Sequence, residues 1–122
     1  METKSKSRIQ SFKNAIKGIV HAFKHEKNIW IQSICAVAVI VVGVVFKTST
    51  MEWIAIVGCI GIVFACEIMN TAIENMVDFI SPEYHKKAGR IKDLAAGAVL
   101  VVAIMSAVVA AIIFIPKLII LC

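Results

Sequence analysis

Four side chains between residues 67 and 78 carry the oxygens that chemistry needs: Glu67, Asn70, Glu74 and Asp78. They sit in "ACEIMNTAIENMVDFI", which follows directly on the apolar run "WIAIVGCIGIVF". Their steps of three, four and four place them within an arc of about 80° on one helix side. Ile68, Ile73 and Val77 supply apolar surface between them. Carboxylates at graded depth suit a hard divalent cation, and Mg²⁺ takes one or two of them plus phosphates. The deepest, Glu67, suits a general base acting on a hydroxyl held at a membrane surface. Lys92 and Asp93 can reach the same interface, where a lysine neutralises phosphate charge. The pattern fits transfer between a water-soluble phosphate donor and a lipid alcohol. Polar glue between helices explains one such residue and explains four on one stripe poorly. A small ion-conducting or regulatory membrane subunit is the alternative the acidic stripe leaves open.

The elements that must position these groups follow from composition. Of 122 residues, 60% are hydrophobic, against about 45–50% in a soluble domain. The excess is gathered into three blocks, 29–46, 53–73 and 94–115, each near the ~17–25 residues that cross a bilayer as a helix. The second continues to residue 80 as a cytoplasmic extension. Glu67 then falls roughly 6–9 Å inside the cytoplasmic boundary. Trp30 and Trp53 suit interfacial belts. Gly58 and Gly61 look like helix-packing residues, and Ala103, Ser106, Ala107 and Ala110 form a small-residue face for helix contact. Three thin spans imply self-association.

Residues 1–28 hold an amphipathic segment. Ile9, Phe12, Ile16, Ile19, Val20 and Phe23 fall near a 3.6 period from Ile9 to Glu26, with lysines largely opposite. It is expected to lie on the membrane surface. Seven of 13 Lys and Arg precede the first span and four lie between the second and third. The N-terminus and the 81–93 loop are therefore placed in the cytoplasm and the C-terminus outside. The net charge of +5 faces anionic lipid rather than nucleic acid. The segment before the first span lacks the short apolar core and small-residue cleavage site of a signal peptide. No Gly-x-x-x-x-Gly-Lys loop and no Gly-x-Gly-x-x-Gly motif is present, so a nucleotide is expected to bind by another device. Cys35, Cys59, Cys66 and Cys122 show no paired spacing.

Residues 67–99, "EIMNTAIENMVDFISPEYHKKAGRIKDLAAGAV", resemble the signature of the prokaryotic diacylglycerol kinases, a family that includes the undecaprenol kinases of Gram-positive type. The resemblance covers the surface helix, the three spans, the E-Y-H turn and the K-D start of the third span. It implies an all-α, homotrimeric enzyme of the bacterial inner membrane, one domain over 1–122, using ATP and Mg²⁺. It further implies that Glu67 is the catalytic base and Asn70 the amide that sets its site. Glu74 and Glu26 correspond to metal-ligating carboxylates beside the nucleotide. Asp78, Lys92 and Asp93 correspond to positions around the nucleotide, and Glu83, Tyr84 and His85 to the turn that contacts adenosine. Arg8 matches, across a gap, a basic residue at the start of the surface helix. Ala96 stands where the Gram-negative type has a serine near substrate. "HEKNIWIQ", Ala96 and the tail "IIFIPKL" resemble the undecaprenol group, so undecaprenol is the expected substrate and diacylglycerol the alternative.

Overall fold

The computed structural model describes residues 4–122 and contains four helices and, among the described residues, no strand: α1 (Lys4–His25), α2 (Lys27–Val45), α3 (Thr50–Ile80) and α4 (Lys86–Leu121). The last three are long and apolar enough to cross a membrane. Helices suit that setting because every backbone polar group is satisfied within the segment.

Each helix end has a local cause. Ser49 caps α3: its side chain accepts from the Glu52 N–H at 3.2 Å, and the Glu52 carboxylate accepts from the Ser49 N–H at 3.0 Å. This reciprocal box satisfies two donors that a helix start leaves open. At the end of α2, the Thr48 N–H returns to the Gly43 carbonyl and the Lys47 N–H to Val44. Lys47 takes the left-handed conformation, φ 53°, that this closure requires at its position.

Two boundaries depart from the sequence expectation. The 81–93 loop is short: residues 81–85 alone are non-helical, and Lys92 and Asp93 lie inside α4. His85 starts that helix, its side chain accepting from the Lys87 N–H at 3.1 Å. At the other end α4 does not stop at residue 115 but runs through Pro116 to Leu121. A proline removes one hydrogen bond and kinks a helix without necessarily ending it, and in an apolar setting the remaining carbonyls have no better partner than the helix. The continuation brings Lys117 to Glu52, Nζ to Oε1 at 3.0 Å, joining the far ends of α3 and α4.

Packing is tightest between α3 and α4, with α2 on α3, and α1 against both α2 and α3. The buried core is small. Ile56, Ile113 and Phe114 form a cluster joined by Phe46, Trp53 and Val39. Most other large apolar side chains, such as Ile34 and Leu100, face outward. That fits a bilayer, where lipid tails are as apolar as the side chains and burial between helices has little driving force. Ser106 and Ala110 line a cavity of about 100 Å³ between α2, α3 and α4, whereas Ala107 is exposed.

Gly58 and Gly61 are not the packing glycines within the chain, since a methyl group at either would meet nothing. Gly43 is: a Cβ there would lie 2.7 Å from Trp53 Cη2. Trp53 thus turns inward onto α2. Gly43→Ala is expected to displace the indole and lower stability by about 1–3 kcal/mol, measured by denaturation in detergent. An unchanged or raised stability would show that Trp53 moves aside without cost.

Candidate active site

The acidic stripe lies along the C-terminal half of α3, and each member meets a different environment. Glu67 is buried, with 4% of its surface exposed. Beside it Thr71, also buried, donates its hydroxyl to the Glu67 carbonyl at 3.0 Å. One turn on, the Asn70 side-chain amide donates to Glu74 Oε1 at 3.2 Å. This bond ties the Glu74 carboxylate to the turn of α3 that carries Asn70. Asn70 Oδ1 is buried and has no partner.

The third carboxylate comes from outside α3. Glu26 is the one non-helical residue between α1 and α2, with extended backbone at φ −109° and ψ 113°. It occupies the position before α2 where a side chain ordinarily caps the helix, yet makes no capping bond. Its charge acts on Glu67, as does that of Glu74. Three carboxylates from two elements are thus close enough for their charges to interact. No three His, Cys, Asp or Glu side chains close into a tight ligand cluster among the described residues. Mg²⁺ does not need one, because it keeps waters and takes phosphate oxygens beside one or two carboxylates. The donor set here is all oxygen, from Glu26, Glu74 and the unpartnered Asn70 Oδ1, and it fits a hard divalent ion.

Further along α3 the stripe enters a second space. A cavity of about 280 Å³ is lined by Asp78, Glu83, Tyr84, His85, Lys92 and Asp93, among others. Lys92 pairs with Asp78 across it, tying α4 to α3. Ser81 donates its hydroxyl to the Glu83 carbonyl at 3.1 Å, fixing the linker that forms the cavity rim. Tyr84 and His85 are exposed there. His85 has committed Nδ1 to the start of α4, which leaves Nε2 for any ligand. On α3, Glu74 lies between Asp78, which lines this cavity, and the buried Glu67.

The prokaryotic diacylglycerol kinase profile matches residues 13–114, most of the chain. The chain belongs to the prokaryotic diacylglycerol kinase family. It is 40% identical over 109 residues to the undecaprenol kinase of Bacillus subtilis, covering 89% of each chain. It is 32% identical over 95 residues to the diacylglycerol kinase of Haemophilus influenzae, covering 76% of this chain and 79% of that one. With the diacylglycerol kinase of Escherichia coli it shares 27% over 104 residues, covering 80% of this chain and 85% of the relative. Family membership and the three apolar helices mark a membrane protein.

Within this family member the residues singled out from sequence fall into two groups. Glu26, Glu67, Asn70 and Glu74 gather at the α1–α2 elbow against α3. Asp78, Glu83, Tyr84, His85, Lys92 and Asp93 line the second cavity. Arg8 joins neither: it is exposed on α1, 18 positions before Glu26, or about 27 Å along a helix. Ala96 is exposed on α4, one turn past Lys92. Thr71 and Phe64 have no place in the sequence reading, and Phe23 enters it only as part of the apolar face of α1. Thr71 carried a visible signal, a hydroxyl four residues after Glu67. The rings carried none, since aromatic residues in apolar helices are ordinary.

Proposed function

We propose that this chain transfers the γ-phosphoryl group of ATP to a membrane lipid alcohol, undecaprenol above all, giving undecaprenyl phosphate. The observation that carries this reading is the burial of Glu67 beside Glu26 and Glu74, at the end of a stripe that leads to a polar cavity. A phosphate donor comes from water and a lipid hydroxyl from the bilayer, and this arrangement offers each a side. The Bacillus subtilis relative, named an undecaprenol kinase, supports the polyprenol. The relatives named diacylglycerol kinases support diacylglycerol as the second reading, with phosphatidic acid as product. Family membership speaks against the ion-conducting and regulatory readings.

In this mechanism Glu67 accepts the proton of the lipid hydroxyl. The oxygen attacks the γ-phosphorus, the bond to the β–γ bridging oxygen breaks, and ADP leaves. Asn70 sets the Glu74 carboxylate through its side-chain amide. Glu26 and Glu74 would hold Mg²⁺, which supplies charge neutralisation at the transferring phosphate. Asp78, Lys92 and Asp93 bind around the nucleotide, and Glu83, Tyr84 and His85 form the adenosine side. Positioning and electrostatics dominate, as in phosphoryl transfer generally. Arg8 and Ala96 belong to the substrate side, Arg8 through a neighbouring protomer, given its distance from the elbow. The reading includes a homotrimer of single-domain chains in the bacterial inner membrane. α1 lies on the cytoplasmic surface, residues 81–93 face the cytoplasm and the C-terminus faces out. The lysine and arginine distribution and the apolar face of α1 support that orientation.

The test is phosphoryl transfer from ATP with Mg²⁺ in mixed micelles, with undecaprenol and diacylglycerol offered side by side. Marked preference for undecaprenol is expected. Preference for diacylglycerol selects the second reading, and transfer to neither overturns both.

A further inference from the structure

Trp30 has no part in the mechanism above, and from sequence it resembles a membrane-interface anchor. In the structure its indole turns back on α1. Nε1–H donates to the Phe23 carbonyl at 2.6 Å. Phe23 lies in the last turn of α1, where carbonyls have no partner within the helix. The indole therefore closes α1 from across the elbow.

Phe23 continues the connection. Its ring meets Trp30 edge-on, with centroids 5.9 Å apart and planes at 88°. It also stacks on Phe64 at 6.1 Å and 17°. Phe64 precedes Glu67 by three residues on α3, so it sits on the same side one turn away. Three rings thus link α2, α1 and α3 beside the carboxylates. Ala22 and Ile29, 2% and 0% exposed, fill the space at the elbow between them.

Glu26 stands at the centre of this joint. Its side chain makes no capping bond, so nothing in its own turn fixes the carboxylate. The direction of its backbone is set by the angle between α1 and α2, and the three rings span that joint. We infer that Trp30, through its hydrogen bond to Phe23 and the Phe23–Phe64 stack, positions the Glu26 carboxylate for a divalent cation shared with Glu74. This rests on the reading of Glu26 and Glu74 as the metal-holding pair. Trp30 is a positioning residue: it acts on the cation through Glu26 alone.

A double-mutant cycle read by metal binding rather than by turnover tests this. Full-length protein in detergent is titrated with Mn²⁺ in the presence of a non-hydrolysable ATP analogue, and free Mn²⁺ is followed by electron paramagnetic resonance. Trp30→Phe keeps a ring and removes the donor. It is expected to weaken Mn²⁺ binding about 10-fold, at the lower end for groups that orient metal ligands. Glu26→Gln should weaken it at least as much, and the double variant no more than Glu26→Gln alone. Unchanged Mn²⁺ affinity in Trp30→Phe, or the same loss in both backgrounds, would overturn the inference and leave the metal reading standing. Wild-type affinity in Glu26→Gln would instead remove the metal reading, and the inference with it. Phe64→Leu, which keeps apolar bulk and removes the stack, carries the same cycle should Trp30→Phe not fold.

Discussion

Glu67→Gln is expected to lower kcat for phosphoryl transfer by about 10²–10⁴-fold, the range that a positioned general base contributes, with the fold preserved. The amide has nearly the shape of the carboxylate, so the closely covered site can hold it. It cannot take the proton of a lipid hydroxyl. The same substitution also removes a carboxylate whose charge interacts with those of Glu26 and Glu74. Like charges in a poorly hydrated place repel. The variant is thus expected to melt at the same temperature as the wild type or higher. Activity assays in mixed micelles and thermal denaturation in detergent check the two halves. Near-normal turnover would remove Glu67 as base. Loss of the folded state would mean that the carboxylate holds the helices together instead.

A different signature is expected for Glu74→Gln. The Asn70 amide can still donate to the oxygen that glutamine retains, so the local hydrogen bond survives. What goes is one of two carboxylates for the cation. Half-maximal activity should require about 100-fold more Mg²⁺, and raising Mg²⁺ should restore much of the rate. Losses of 10–100-fold already follow from disturbing groups that merely orient ligands. Glu67→Gln, by contrast, should not respond to added Mg²⁺. Wild-type Mg²⁺ dependence in Glu74→Gln would take this residue out of the cation site. Equal rescue of both variants would mean that they share one role and that base and metal ligand have not been told apart.

Both predictions rest on residues visible in the sequence, and there is a physical reason for that. Crossing a bilayer demands long apolar runs, which announce three spans by composition alone. Within such a run an acidic residue is costly enough to mark itself as functional. The helical period then places Glu67, Asn70, Glu74 and Asp78 on one side. Helix ends were less legible. Pro116 looks like a stop, but it removes one hydrogen bond and α4 continues past it. Residues 86–93 are polar and look like loop, yet they form the first turns of α4, since His85 caps them and lysines are good helix formers.

By itself the sequence determined the all-helical class, the spans, the acidic stripe and, through its ordered motif, the family. Tertiary structure alone decided how the stripe is completed. Glu26 comes near enough to act on Glu67 because α1 packs against α2 and α3, and local periodicity carries no information about the angle between two helices. The inward turn of Trp53 onto Gly43, the bond from Trp30 to Phe23 and the pairing of Glu52 with Lys117, 65 residues away, have the same origin. Each depends on which side chains meet across helices, and in lipid that choice follows shape and hydrogen bonding rather than hydrophobicity.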